Sequence, residues 1–249
     1  VDLDAARGGA SACGPNVDQT ISLIRGDASL VAVLEEANAE SPGGKAVFDY
    51  LLYASGKPDR LRERLEAPTV EGSTVETLFC AALADEDWPR AYEACLRFLL
   101  AETDGFQRSS AFQAFDAIHA GVALPDAIRR RVLIACRDEL LRPDAYEYAR
   151  LYSMLALCTL SEDAAVAVIS DLLASGSLDA PMLAHVESVV DRAYTGRGDL
   201  RKKRATLAMP EVRAGPERWR DWRAAQTNYL EQVAANHFGL VGSPTGRVP

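Results

Sequence analysis

The 249-residue chain carries 27 Lys plus Arg against 36 Asp plus Glu, a formal net charge of −9, with 48 % hydrophobic residues. Its 17 Gly, 12 Pro and 5 Cys describe an ordinary globular composition, not a collagenous, disordered or disulfide-dense one. A chain of this length buries roughly 70–75 % of its unfolded surface, enough for a core without metal or disulfide support. No apolar run approaches the ~18–20 residues of a membrane span.

Residues 1–15 read as a flexible leader. Ala10-Ser11-Ala12-Cys13 faintly resembles a lipoprotein cleavage site, but no apolar segment precedes it in Val1–Gly9. Cys13, Cys80, Cys95, Cys136 and Cys158 are odd in number and lack CxxC or CxH spacing. Four of them sit in apolar helical stretches, as small core thiols do, which favours a reducing, cytoplasmic compartment. Export stays open as an alternative because the chain begins at Val1 without Met.

Helical periodicity dominates, and no alternating strand pattern occurs. Asn16-Val17-Asp18-Gln19 carries an Asx cap with Gln three residues on, predicting a helix that runs to about Ala39. Ser41-Pro42-Gly43-Gly44 breaks it, and Val47, Phe48, Leu51 and Leu52 mark a second helix. A short charged helix over Asp59–Glu66 completes a divergent N-terminal region, 16–71.

From the capping box Ser73-Thr74-Val75-Glu76 onward, the pattern predicts helix pairs joined by short turns. Second helices are expected to start near Asp87, Leu124 and Ser161, 37 residues apart both times (124 − 87 and 161 − 124). A 37-residue shift aligns Cys95, Val132 and Ile169, and then Phe98, Ala135 and Leu172, and Leu99, Cys136 and Leu173. With Ala91, Ile128 and Ala165 these columns occupy i, i+4, i+7 and i+8, one helix face. Columns outside the stripe are mixed, as in Glu93, Arg130 and Ala167, or Arg97, Ile134 and Asp171.

Such antiparallel pairs resemble HEAT-like or armadillo-like α-solenoids over residues 73–194, in architecture and without a family-specific motif. The resemblance implies an all-α chain: one continuous helical-repeat domain over 16–238. A compact bundle with a coincidental spacing is the alternative. Past Asp179 and Pro181, which start another first helix, the partner helix expected near residue 198 gives way to a basic loop over 195–215. A last helix over 216–238 carries Trp219, Trp222, Tyr229 and Val233 on one side, with Pro216 in its first turn and Gly239 after its end. Glu217-Arg218-Trp219-Arg220-Asp221-Trp222 is similar to the Trp-containing helix that closes prokaryotic HEAT-like arrays. Residues 239–249 read as a flexible tail.

Charge is unevenly distributed. Residues 1–71 carry 7 positive and 12 negative groups, residues 72–180 carry 9 and 17, and residues 181–249 carry 11 and 7. The basic excess centres on Arg201-Lys202-Lys203-Arg204. That cluster could dock nucleic acid, an anionic lipid or an acidic protein patch; the favoured expectation is that it folds back on the chain's own acidic surface or stays a solvated loop. A chain at pI ≈ 4.9 without aromatic–basic interleaving argues against nucleic acid.

Catalytic and metal motifs are missing. His119 and His185 fall on core-facing positions, and His237 near the end of the last helix; no HExxH or His/Cys cluster accompanies them. There is no GxGxxG, GxxxxGK[ST] or GxSxG. No cofactor is expected. The reading is a non-enzymatic module that binds a basic protein partner, its groove lined by Arg90, Glu93, Arg97, Arg130, Arg137 and Asp171. Asp85, Glu86 and Asp87 add an acidic turn, for which helix-dipole complementation is the simpler account. An immunity or inhibitor protein from a bacterium is the specialisation that charge and size suggest. The alternatives are a helical enzyme with a site assembled from remote residues, and an adaptor using Arg201–Arg204.

Overall fold

The computed structural model describes residues 27–40, 88–101, 104–117, 124–192 and 200–239. Their regular structure is helical throughout, without strands, so the chain is all-α in its described part. The leader, most of the N-terminal region, Asp85–Asp87, Cys13, Cys80, His119 and the 240–249 tail lie outside those residues. No described helix is long and apolar enough to cross a membrane.

The chain divides into two compact units, Val1–Ala114 and Phe115–Pro249. In the first, α1 (Ala28–Glu40) precedes α2 (Trp88–Ala101) and the start of α3 (Gly105–Ala117). Asp104 caps α3: its carboxylate accepts from the backbone N–H groups of Phe106 (2.8 Å) and Gln107 (3.0 Å). Arg108 of α3 reaches back to the Leu99 carbonyl at 2.5 Å. Tyr92, Cys95, Phe98, Leu99 and Phe112 are buried, which places the expected apolar stripe of α2 inside.

The second unit holds α4 (Asp126–Leu141), α5 (Glu147–Leu160), α6 (Glu162–Ser175) and α7 (Ala180–Arg192). Helices α4 and α6 begin within two residues of the starts expected near 124 and 161, and the start expected near 87 borders residues outside the described ones. Helix α4 packs on α5, and α5 in turn on α6 and α7. Ser161 caps α6 by accepting from the Ala164 N–H at 3.2 Å, and Glu162 and Asp163 place negative charge at the positive end of its dipole. Asp179 caps α7 in the same way, accepting from Met182 N–H at 2.9 Å.

Beyond α7 the chain departs from the expected loop. Leu200–Thr206 forms a short helix, α8, so Arg201–Arg204 are helical rather than looped. It ends on Ala208, whose φ of 50° is left-handed. A 3-10 turn (Val212–Ala214) leads to α9 (Pro216–Ala225), α10 (Thr227–Val233) and a π-helical turn (Ala234–Phe238). The last helix is thus broken at Gln226 rather than continuous over 216–238. Gly239, with φ 71°, ends it as a left-handed cap.

Helix α6 shows what this terminal segment does. Residues 164–170 are all buried, seven in succession, where a surface helix would expose two or three. Helix α5 covers one side and α9 another, with α10 and the π turn beyond. Trp219 and Trp222 of α9 are 3 % and 7 % exposed, at 5.8 Å between ring centroids and edge-on at 71°. Each indole N–H is satisfied: Trp219 donates to the Glu211 carbonyl at 3.2 Å and Trp222 to the Leu207 carbonyl at 3.0 Å. The residual void beside Trp219 measures only about 20 Å³ and is walled mainly by Val166, Ile169, Leu173, Val190 and Leu200.

Candidate functional site

Some of the residues expected to line a groove along the second helices, and their neighbours, are paired within the chain. On α6, Asp171 pairs with Arg223 of α9 at 2.5 Å, and Asp163 pairs with Lys203 of α8 at 2.5 Å. On α7, Glu187 receives a two-pronged contact from Arg213. On α4, Arg137 bonds Asp138 at 2.6 Å and lies 5.0 Å above the ring of Phe238. Three basic residues of the C-terminal segment therefore meet three acidic residues of α6 and α7. The favoured expectation for the basic cluster, a fold back onto acidic surface, describes Lys203.

Of the other residues expected to line that groove, Arg130 is exposed on α4, whereas Glu93 and Arg97 are half-buried on α2 in the first unit. Arg90 lies on α2 and Arg201 on α8. Lys202 is exposed, and Arg204 contacts Glu211 within its own segment. Arg130, Arg137 and Asp171 thus share the second unit with the C-terminal segment. The Trp-bearing helix α9 packs on α6, the helix that carries Asp171.

Where α6 begins, residues remote in sequence converge. Asp163 accepts from the Tyr229 hydroxyl at 2.8 Å as well as from Lys203, and Lys203 lies 5.9 Å from the centre of the Tyr229 ring. Burial opposes ionisation of Asp163, but hydrogen bonds from Lys203 and Tyr229 outweigh it and hold the carboxyl below its ordinary range. Burial, and then the Asp163 carboxylate itself, push the Tyr229 phenol well above its usual value. His237 has Nε2 3.5 Å from Ser161 Oγ. Burial pulls its pKa down, Asp163 acts against this, and Arg129 and Arg130 reinforce it.

A serine near a neutral histidine invites a nucleophilic reading, but the geometry serves structure. The Ser161 hydroxyl already accepts a backbone N–H as the α6 cap, and 3.5 Å is the outer limit of a hydrogen bond. Asp163 spends its oxygen on Tyr229 and Lys203. These groups clamp the C-terminal segment. Asp171 differs: its burial raises its pKa against the pull of Arg223.

Cys95, Cys136 and Cys158 are buried free thiols, and burial pushes the Cys95 thiol far up, so it acts as a core hydrophobe. His185 is only partly buried, and its Nε2 lies 2.5 Å from Glu147. Among the described residues no group of three His, Cys, Asp or Glu is placed to hold a metal ion.

One surface was not singled out by periodicity. The turn from α4 to α5 exposes Leu141 (44 %), Tyr146 (38 %) and Tyr148 (50 %). A tyrosine pair in Pro143-Asp144-Ala145-Tyr146-Glu147-Tyr148 was visible in sequence, but a helix-start pattern does not tell inward from outward aromatics. No known protein family matches the chain, and neither do curated proteins or solved structures.

Proposed function

We propose that this protein is a non-enzymatic helical module that binds another protein through its acidic surface, and that its helix pairs stack as in an α-solenoid. One observation supports the binding reading above others. Lys203, Arg213 and Arg223 seat a basic helical segment on Asp163, Glu187 and Asp171, an intramolecular instance of basic chain on acidic helices. A basic partner meets the same chemistry on the carboxylates that stay exposed. The contact of α5 with both α6 and α7 supports the stacked arrangement. An inhibitor-type protein that neutralises a basic target is the specialisation this charge distribution favours.

The test is capture of proteins from an extract on the immobilised full chain, at low salt and at about 0.5 M salt, where screening shortens to a few ångströms. Basic proteins held at low salt and released at high salt are the expected result. Retention of acidic proteins alone, or retention indifferent to salt, overturns the reading.

A further inference from the structure

We propose that the π turn Ala234–Phe238 is a proton-operated latch, closed on α4 and α6 while His237 is neutral and opened when His237 takes up a proton. The turn packs on α4, on α6 and on α10 before it. Two side chains seat it. Phe238 is buried, its ring 5.0 Å from the Arg137 guanidinium of α4. His237 is half-buried, with Nε2 3.5 Å from the Ser161 hydroxyl that caps α6. A neutral imidazole can accept the hydroxyl proton there, whereas an imidazolium can only donate, and the Ser161 oxygen already accepts the Ala164 N–H.

Charges act on the imidazole from the elements packed against it. From α4, Arg129 and Arg130 repel an added proton. The Arg130 guanidinium stands at the end of the turn, 3.7 Å from where a Cβ on Gly239 would sit, and Arg129 is partly answered by Asp126 at 3.1 Å. From α6, Asp163 attracts the proton, but its carboxylate is shared with Lys203 of α8 at 2.5 Å and the Tyr229 hydroxyl of α10 at 2.8 Å. Glu231, also on α10, is exposed. Burial and the two arginines outweigh Asp163, so the closed turn binds the proton less readily than an opened one does. A fall in pH through about 6.5 therefore favours the opened turn.

The opening is local. Five residues at the end of a helix open at a fraction of the cost of unfolding the whole unit, so one proton can shift their equilibrium. The elements before them are held independently, by buried Trp219 and Trp222 and by the pairs of Lys203 with Asp163 and Arg223 with Asp171. Acid thus opens the turn before it unseats α9. Opening carries Phe238 into water and parts its ring from the Arg137 guanidinium, which uncovers an apolar and a cationic group together.

The experiment measures amide hydrogen exchange of the full chain at about pH 7.5 and about pH 5.5, each corrected for the intrinsic rate at that pH. Protection of the amides of residues 234–239 should fall by about threefold or more at the lower pH, while those of α5 keep theirs. His237→Asn, which cannot take up the proton, should show the same protection of the turn at both values. Arg130→Gln removes one repelling charge and leaves the imidazole in place, so its fall should be smaller than that of the unaltered chain. No fall in the unaltered chain, a fall undiminished in both variants, or an equal fall throughout α5 overturns the latch.

Discussion

Two surfaces of the second unit contrast sharply. Around α6, tryptophans are sealed and carboxylates answered by the chain's own cations. At the α4–α5 turn, aromatic rings of comparable bulk stand half in water beside exposed carboxylates. The same residue classes are buried or paired across helices in one place and stand exposed in the other. What separates them is whether the C-terminal segment lies over them. Aromatic content alone is therefore no guide to where a partner binds.

The contrast breaks first under large-to-small substitution. Trp219→Ala or Trp222→Ala should cost about 3–5 kcal/mol, because each removes a buried ring and leaves a cavity against α6. Tyr146→Ser and Tyr148→Ser should each stay within about 0.5 kcal/mol. Chemical denaturation of the four variants measures both, and equal costs on the two surfaces would erase the distinction.

Backbone geometry gives the next effect. Gly176 ends α6 at φ 68°, and a Cβ there would sit 3.0 Å from Pro216 Cγ at the start of α9. Gly176→Ala should destabilise by about 1–2 kcal/mol, the cost of a left-handed non-glycine residue, with added strain at the proline. Ala208 already occupies that region at φ 50°. Ala208→Gly should therefore be neutral or stabilising in the same denaturation assay.

Acid titration separates the two clamp carboxylates by sign. The lowered pKa of Asp163 adds stability that is present above its unfolded value of about 3.9 and is lost as pH falls through the lower folded value. Asp163→Asn should flatten the loss of stability below about pH 4. Asp171, raised by burial, is opposite: the folded chain takes up its proton first, so stability is gained as pH falls toward about 4. Asp171→Asn should make the acid loss steeper above about pH 4. Identical pH profiles for the two variants would show that neither carboxylate is clamped as described.

The smallest effect belongs to His237. Burial lowers its pKa, so the unfolded chain binds the proton first and stability falls as pH drops below about 6.5. His237→Asn should remove that shallow slope. Urea midpoints between pH 5 and 7 give the measure.

Much of the helical framework was legible in residue spacing. Periodicity placed the start of α4, and capping residues with it those of α6 and α7, because caps and apolar stripes are local signals. Cys95, Val132, Ile169, Leu99, Cys136 and Leu173 are buried as their columns implied. Legibility failed where a second element decides exposure. Ala167 stood in a mixed column and is buried, and Asp171, expected to line a groove, is paired with Arg223 of α9. Helix α8 was missed because seven residues with four adjacent cations carry no apolar stripe, yet Leu200 anchors it inward.

The sequence by itself determined an all-α chain, the turns that precede α4, α6 and α7 and an acid–base asymmetry between its parts, since these follow from composition and short-range periodicity. Only the tertiary structure decided which carboxylates the basic segment consumes and which aromatics stay in water. That choice depends on contacts between residues as far apart in sequence as Ser161 and His237, or Arg137 and Phe238, for which local sequence carries no signal.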